Sequence, residues 1–99
     1  MIVITEVAKE ELREMCRAAA GRRPVAQRLV AGMYGRLQFA PDDSGDWTDD
    51  IVFEDADGVL LVIDRELHDS LDDLTLDCQD YQGTRLLGFQ RRQTGDQTP

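Results

Sequence analysis

The hydrophobic positions at the start of the chain change from a strand-like run to a helical spacing. Ile2 to Ile4 is a short β-branched run, and the Thr5 hydroxyl after it can accept a bond from a free backbone N–H of a following helix. From residue 6 to residue 20 apolar residues recur every three or four positions, which places one apolar stripe toward a core. Gly21 is predicted to cap the C-terminus of this helix.

Beyond residue 24 the hydrophobic period falls to two, which is typical of β-strands. Alternation around Leu29, and again from Leu37 to Phe39, predicts two strands that are joined by a turn at Gly32 and Gly35. Asp57-Gly58 is a strong hairpin signal between two further apolar runs. Four more strands are predicted, over residues 51–53, 59–63, 74–79 and 84–90.

Two connecting segments complete the predicted fold. Residues 41–50 form an acidic loop, and Asp64 caps a short helix over residues 65–71 in which His68 faces solvent. This order predicts an α+β domain, mainly β: a small sandwich of about six or seven short strands in hairpins. The N-terminal helix covers an open side of the sandwich, one short helix is inserted, and parallel βαβ winding is disfavoured.

Length and charge narrow the class of protein further. The chain has 99 residues, which predicts one domain over residues 1–90 and a disordered polar tail over residues 91–99. The net charge of -9 argues against a nucleic-acid partner, because phosphates would be repelled. The longest aliphatic run, residues 59–63, is too short to span a membrane. The N-terminus lacks a basic signal segment, so a cytoplasmic location is expected.

The residues that could carry chemistry are few. The single histidine, His68, has no nucleophile in a recognisable pattern beside it, so no catalytic residue is assigned and no enzyme is expected. Cys16 and Cys78 are not in a C-x-C or C-x-x-C pair, and each occupies the apolar phase of its own element. Core packing is the favoured role of both thiols, with cofactor binding as the alternative, and no metal ligand is assigned.

The acidic loop has part of the pattern of a calcium-binding loop, because oxygen-bearing side chains occupy every second position from Asp42 to Asp50. The sixth position, which requires glycine, is Trp47, and the twelfth, which requires a bidentate glutamate, is Phe53. The loop is therefore interpreted as a solvated acidic segment. The paired carboxylates are assigned to solubility in the same way; they are Asp42-Asp43, Asp49-Asp50 and Asp72-Asp73.

A series of short motifs runs along nearly the whole chain. They are Ile4-Thr5 before the first helix, Gly32-Met33 followed by Leu37 and Phe39, the run from Asp50 to Asp55, Gly58-Val59, Val62-Ile63-Asp64, Leu71-Asp72, Leu76-Asp77 and Gly88-Phe89. Together they resemble the HesB/IscA family of A-type iron-sulfur carriers, over about residues 1–89. The resemblance implies a HesB-like sandwich, in agreement with the predicted order of elements.

The same resemblance locates the cysteines that give this family its chemistry. One precedes the Gly-Met strand, where this chain has Val30-Ala31, and a C-x-C pair lies in a C-terminal tail, where residues 90–99 have no cysteine. The resemblance therefore implies that the usual ligands are lost, and that no cofactor is expected. The favoured function is a non-enzymatic interaction or accessory module that binds a protein partner.

One alternative keeps the metal chemistry of the family. It is an atypical iron or iron-sulfur carrier, in which Cys16 and Cys78 from the two chains of a homodimer supply four thiolates.

Overall fold

The computed structural model describes residues 1–19 and 25–91, which form seven strands and two α-helices. The elements are β1 (Val3–Ile4), α1 (Glu6–Ala19), β2 (Ala26–Ala31), β3 (Leu37–Asp42), β4 (Asp50–Asp55), β5 (Gly58–Asp64), α2 (Arg65–Ser70), β6 (Leu74–Tyr81) and β7 (Thr84–Arg91). The predicted α+β class, mainly β, is confirmed. Neither described helix is long and apolar enough to cross a membrane. The predicted cap at Gly21 and residues 92–99 of the predicted tail lie outside the described residues.

The strands form two sheets, with the orders β1-β6-β7 and β3-β2-β5-β4. The three predicted hairpins are present, because β2 pairs antiparallel with β3, β4 with β5, and β6 with β7. Two pairings are parallel, β1 with β6 and β2 with β5, and hydrophobic periodicity does not indicate either of them. The strands that α1 connects lie in different sheets, so it forms no βαβ unit between them.

Helix α1 packs against both sheets and supplies the middle of the core. Its N-terminus is capped as predicted, since the backbone N–H of Ala8 donates to the Thr5 hydroxyl at 3.2 Å. Ala8 and Leu12 are fully buried on the apolar stripe of the helix. They meet the most apolar strand, β5, and Leu76 of β6. The remaining buried members of this core are Ile2, Leu29, Leu60, Leu61, Ile63 and Cys78.

Helix α2 shows one confirmed prediction and one wrong one. The Asp64 side chain accepts hydrogen bonds from the backbone N–H groups of Glu66 and Leu67, so it is the predicted N-cap. His68 does not face solvent: it is 4% exposed. The backbone N–H of Ile2 donates to His68 Nε2 at 3.2 Å, so the N-terminal segment covers this face of the helix. The two residues are 66 positions apart, a contact that helical spacing cannot reveal.

The acidic loop is shorter than predicted, because β3 continues through Pro41 to Asp42. Proline has no backbone N–H, and β3 tolerates it because this strand lies at the edge of its sheet.

The turn between β2 and β3 holds a strained residue. Tyr34 has φ 59° and ψ 27°, and its side chain is 99% exposed, so no packing contact compensates for the left-handed conformation. This conformation costs an L-residue about 1–2 kcal/mol.

Replacing Tyr34 by glycine is expected to raise the free energy of unfolding by about 1 kcal/mol, because glycine adopts a positive φ without steric cost. Urea unfolding measures the change. Tyr34→Ala is the control: it removes the same exposed ring and keeps the Cβ, so its unfolding curve should match that of the parent. An equal gain in both variants would show that the strain is not responsible.

Candidate functional site

A cleft of about 390 Å³ opens beside the second half of α1. Its walls come from α1, from the start of β2, from the β4–β5 hairpin and from the loop that precedes β4. Arg13 and Cys16 project from the helix, Asp55 from the hairpin, and Trp47 from the loop. The volume lies within the usual range for small-molecule sites, which makes this cleft a candidate binding site.

Arg13 forms ion pairs with two carboxylates in the cleft, those of Asp55 and Asp57. The Arg13 guanidinium donates to the Asp55 carboxylate, and its Nε lies 3.4 Å from Asp57 Oδ2. The hydrogen bond from Arg13 lowers the pKa of Asp55, and the same bond raises the pKa of Arg13. Asp55 also accepts from the backbone N–H of Asp57 at 2.8 Å, which fixes the hairpin turn. The lowered pKa keeps Asp55 ionised near neutral pH, so this carboxyl is not suited to general acid catalysis.

Cys16 forms part of the wall of this cleft. Its thiol donates to the carbonyl oxygen of Leu60 at a sulfur–oxygen distance of 3.5 Å. Burial raises the pKa of Cys16, and the charge of Asp55 adds to the increase, although a backbone hydrogen bond from Gln27 opposes it. The thiolate is the form that attacks electrophiles and binds metals. A raised pKa therefore makes Cys16 a poor nucleophile and a poor ligand at neutral pH.

Cys78 lies in a different environment, on the core side of β6. It is 9% exposed, and burial raises its pKa, with a further increase from the charge of Glu11. Both cysteines are free thiols. In residues 1–19 and 25–91, no three side chains of the His, Cys, Asp or Glu type are grouped closely enough to hold a metal ion. A cluster with only cysteine ligands needs four thiolates, and one chain has two cysteines. A single chain therefore does not fit such a cluster.

A second group of ion pairs lies outside the cleft, around Arg28 of β2. Arg28 Nε donates to Asp42 Oδ2 at 2.7 Å, and its Nη2 donates to Asp50 Oδ2 at 2.8 Å. The hydrogen bonds that Arg28 donates, first to Asp50 and then to Asp42, raise the pKa of Arg28. Three strands are thus held together by one guanidinium between two largely buried carboxylates, an arrangement that stabilises the sheet and leaves no free charge.

The acidic loop is held by its own oxygen atoms. Asp42 accepts from the backbone N–H of Ser44 at 2.9 Å, Ser44 Oγ accepts from the N–H of Asp46 at 3.4 Å, and Asp46 accepts from the Thr48 hydroxyl at 3.0 Å. The interpretation of Asp42 and Asp50 as residues kept only for solubility is wrong, since both bind Arg28. One feature of the sequence could have indicated these ion pairs. Arg28 lies on β2, and β2 pairs with the strand that ends at Asp42.

The position where the resemblance places a ligand is the end of β2. Val30 is half-buried and Ala31 is exposed, and the tight turn that follows is closed by a 2.6 Å hydrogen bond from Gly32 N–H to Arg36 O. Neither side chain can bind a metal. Cys16 lies on α1 and Cys78 on β6, so the structure places neither cysteine on the strand that carries Val30-Ala31.

Sequence reasoning missed a second recess, which lies between the two sheets. It has a volume of about 370 Å³ and is lined by Met15 of α1, Leu37 and Phe39 of β3, and Leu87 of β7. Strands β3 and β7 are each the last strand of their sheet among the described residues. The sandwich is therefore open along this side. Strand order decides which edges are exposed, and hydrophobic alternation contains no information on strand order.

No family model matches the sequence, and no curated protein matches it significantly. Solved structures of other proteins share the fold. A crystal structure of Escherichia coli SufA, a protein involved in biosynthesis of iron-sulfur clusters, is 18% identical with a TM-score of 0.72, over 91% of this chain and 84% of that chain. A crystal structure of IscA with the [2Fe-2S] cluster is 17% identical with a TM-score of 0.59, over 92% and 85%. The chain has a HesB/IscA-like fold, as the resemblance implied.

Proposed function

We propose that this chain is a cluster-free relative of the iron-sulfur cluster biosynthesis proteins, and that it acts without catalysis by binding a protein partner. One observation carries the proposal: a fold shared with SufA and IscA is combined with two cysteines that lie on separate elements and are half-buried or buried. The family resemblance places the first ligand of the family at Val30-Ala31, and residues 90–99 contain no cysteine.

The state of the two thiols supports this proposal. Iron-sulfur clusters bind thiolates, and burial raises the pKa of both Cys16 and Cys78. Metal binding would therefore have to displace a proton from each thiol and, at Cys16, break the bond to Leu60. Carboxylates, which are abundant here, suit harder ions and do not replace thiolate ligands.

The alternative carrier function is favoured by one feature, the position of Cys16 in the wall of an open cleft. A second chain could approach this thiol. Four thiolates would still require Cys78, which lies in the core, so the carrier requires a rearrangement of β6 or its surroundings.

The absence of catalysis and the cytoplasmic location also belong to the proposal. Arg13 and Asp55 neutralise each other in the cleft, and His68 Nε2 is occupied by the backbone N–H of Ile2. These contacts leave neither Asp55 nor His68 Nε2 free to act as a general base. Two free thiols suit the reducing cytoplasm.

Anaerobic reconstitution with ferrous iron, sulfide and dithiothreitol tests the proposal. After desalting, the protein is expected to be colourless and to contain iron and sulfide only at background levels. Visible absorption and metal analysis are the measurements, and IscA treated in parallel shows that the reaction mixture is competent.

The contrary result is specific. A brown, stoichiometric species that is lost in both Cys16→Ser and Cys78→Ala would establish the alternative carrier and overturn the cluster-free function. Colour that survives in the double variant identifies adventitious iron and leaves the proposal standing.

A further inference from the structure

The β7 edge is the longest open strand edge among residues 1–19 and 25–91. Strand β7 has eight residues, pairs only with β6 in the described part of the chain, and is exposed at six of its positions. Leu86 is 52% exposed there. Natural edges are usually blunted by shortness, proline or charged side chains; β7 is long and has no proline, and its two charged residues, Arg85 and Arg91, stand near its ends. Its free backbone N–H and C=O groups can pair with an added strand.

Recesses lie on both sides of this edge. The inner recess, of about 370 Å³, has apolar walls from Met15, Phe39 and Leu87. At its charged side Arg85 Nη1 lies 4.0 Å from Glu11 Oε1. The outer recess, of about 230 Å³, lies over Gly88, where an added Cβ would meet nothing within 4 Å. The side chains of a β-strand alternate between the two faces of a sheet. A strand added at β7 would therefore direct alternate residues toward the inner recess and the others toward the outer one.

The charges of β7 specify what such a strand carries. Arg85 and Arg91 stand at the two ends of the inner face of β7, with Leu87 and Phe89 between them. Strand β6 pairs with the other edge of β7, and its residues show which side chains can lie beside those on the inner face of β7. Asp80 lies opposite Arg85, Cys78 opposite Leu87, and Leu76 opposite Phe89, whereas Arg91 faces Leu74 and has no carboxylate opposite it on β6. Asp80 Oδ1 lies 3.9 Å from Arg85 Nε.

We propose that the β7 edge binds an extended segment of a partner protein as an additional β-strand, with carboxylates six positions apart and two apolar residues at the alternate positions between them. The carboxylates face Arg85 and Arg91, and the apolar residues cover Leu87 and Phe89. The inference rests on the proposed interaction function and names the surface and the class of partner that the function requires.

Two other occupants fit this edge less well. A second copy of β7 carries no Asp or Glu, so it offers the two arginines no carboxylate in any register. In the antiparallel register centred on Gly88 it would bring Arg85 opposite Arg91 at both ends, where like charges are destabilising. Residues 92–99 of this chain have no aliphatic or aromatic side chain except the proline ring, so they cannot fill an apolar recess. A foreign acidic strand avoids both problems, although the net charge of -9 makes its approach dependent on the local arginines.

A peptide titration followed by ¹H–¹⁵N NMR tests the proposal. The probe is the acetylated, amidated heptapeptide Glu-Thr-Val-Thr-Val-Thr-Glu, and the matched control has lysine at both ends. The acidic peptide is expected to shift the amides of residues 84–91 saturably with a roughly millimolar Kd. The lysine peptide should bind at least about threefold more weakly, because each exposed charge pair contributes modestly.

Charge reversal gives a second test of the same edge. Arg85→Glu combined with Arg91→Glu is expected to reverse the preference, so that the lysine peptide binds better. Arg65→Glu, on the exposed face of α2, changes the net charge at a position away from the edge and should retain the preference for the acidic peptide.

Equal affinity for the two peptides, shifts confined to other strands, or no saturable shift of β7 would each overturn the proposal. These outcomes are separate from those of reconstitution. If the protein stays colourless and binds neither peptide, the β7 proposal is overturned and the cluster-free function is retained. If the protein turns brown and binds the acidic peptide, the cluster-free function is overturned and the β7 proposal is retained.

Discussion

Replacing Leu76 by alanine is expected to lower the free energy of unfolding by about 2–5 kcal/mol, the range observed when a buried leucine is truncated. Leu76 is 0% exposed. It lies opposite Phe89 on β7 and pairs with Ile4 on β1, so it contacts both neighbours within its sheet. Small domains have a total stability of only about 5–15 kcal/mol. The substitution therefore removes a large fraction of the stability and populates unfolded protein.

Urea or guanidinium unfolding measures this loss, and Leu86→Ala is the matched control. Leu86 lies on the same hairpin but is 52% exposed, so its truncation should cost less than about 1 kcal/mol. Leu76→Ala leaves the charge of the chain unchanged, so pH and salt should not alter the difference between the two variants. Similar losses in both would contradict the assignment of Leu76 to the core.

Acid is expected to remove about 2 kcal/mol of stability through Asp42 alone. Burial by itself would raise the pKa of Asp42, but hydrogen bonds from the Ser44 backbone and the Arg28 guanidinium outweigh it and lower the pKa from 3.8 to about 2. The folded state therefore favours the ionised carboxylate. Its contribution is fully present above about pH 5 and is lost as the pH falls through 3.8 toward 2.

Unfolding free energies of the parent and of Asp42→Asn, measured between pH 6 and pH 2, isolate this contribution. The asparagine variant should be about 2 kcal/mol less stable at pH 6, and the two proteins should converge near pH 2. The neighbouring Asp43 is exposed, so Asp43→Asn should follow the parent at every pH. A constant difference between the parent and Asp42→Asn across this range would show that ionisation of Asp42 is not responsible.

Local signals in the sequence predicted much of the fold. The β4–β5 hairpin follows from Asp57-Gly58, and Gly58 indeed has a φ of 127°, a conformation that disfavours other residues. The caps at Thr5 and Asp64 were predictable because each bonds to a backbone N–H within three positions. Contacts of this kind depend only on near neighbours, which the sequence displays directly.

The features that could not be predicted all depend on distant parts of the chain. His68 is buried because the N-terminal segment crosses α2, and Arg28 meets Asp42 and Asp50 because three strands converge. The β7 edge is open because of the order of strands in its sheet. The hydrophobic period can place a residue correctly on one face of its strand or helix. It does not show which distant residue lies against that face, because that depends on how the sheets assemble. The candidate site was therefore less predictable than the elements that form it.

The parallel pairing of β1 with β6 has a consequence for synthesis on the ribosome. Val3 pairs with Thr75, so β1 cannot join its sheet until β6, which lies far behind it in the chain, has been translated. The four-stranded sheet draws only on residues 26–64 and can assemble earlier, because domains fold from the contacts that are already available. During that interval the apolar stripe of α1 lacks β6 and part of its surface stays uncovered.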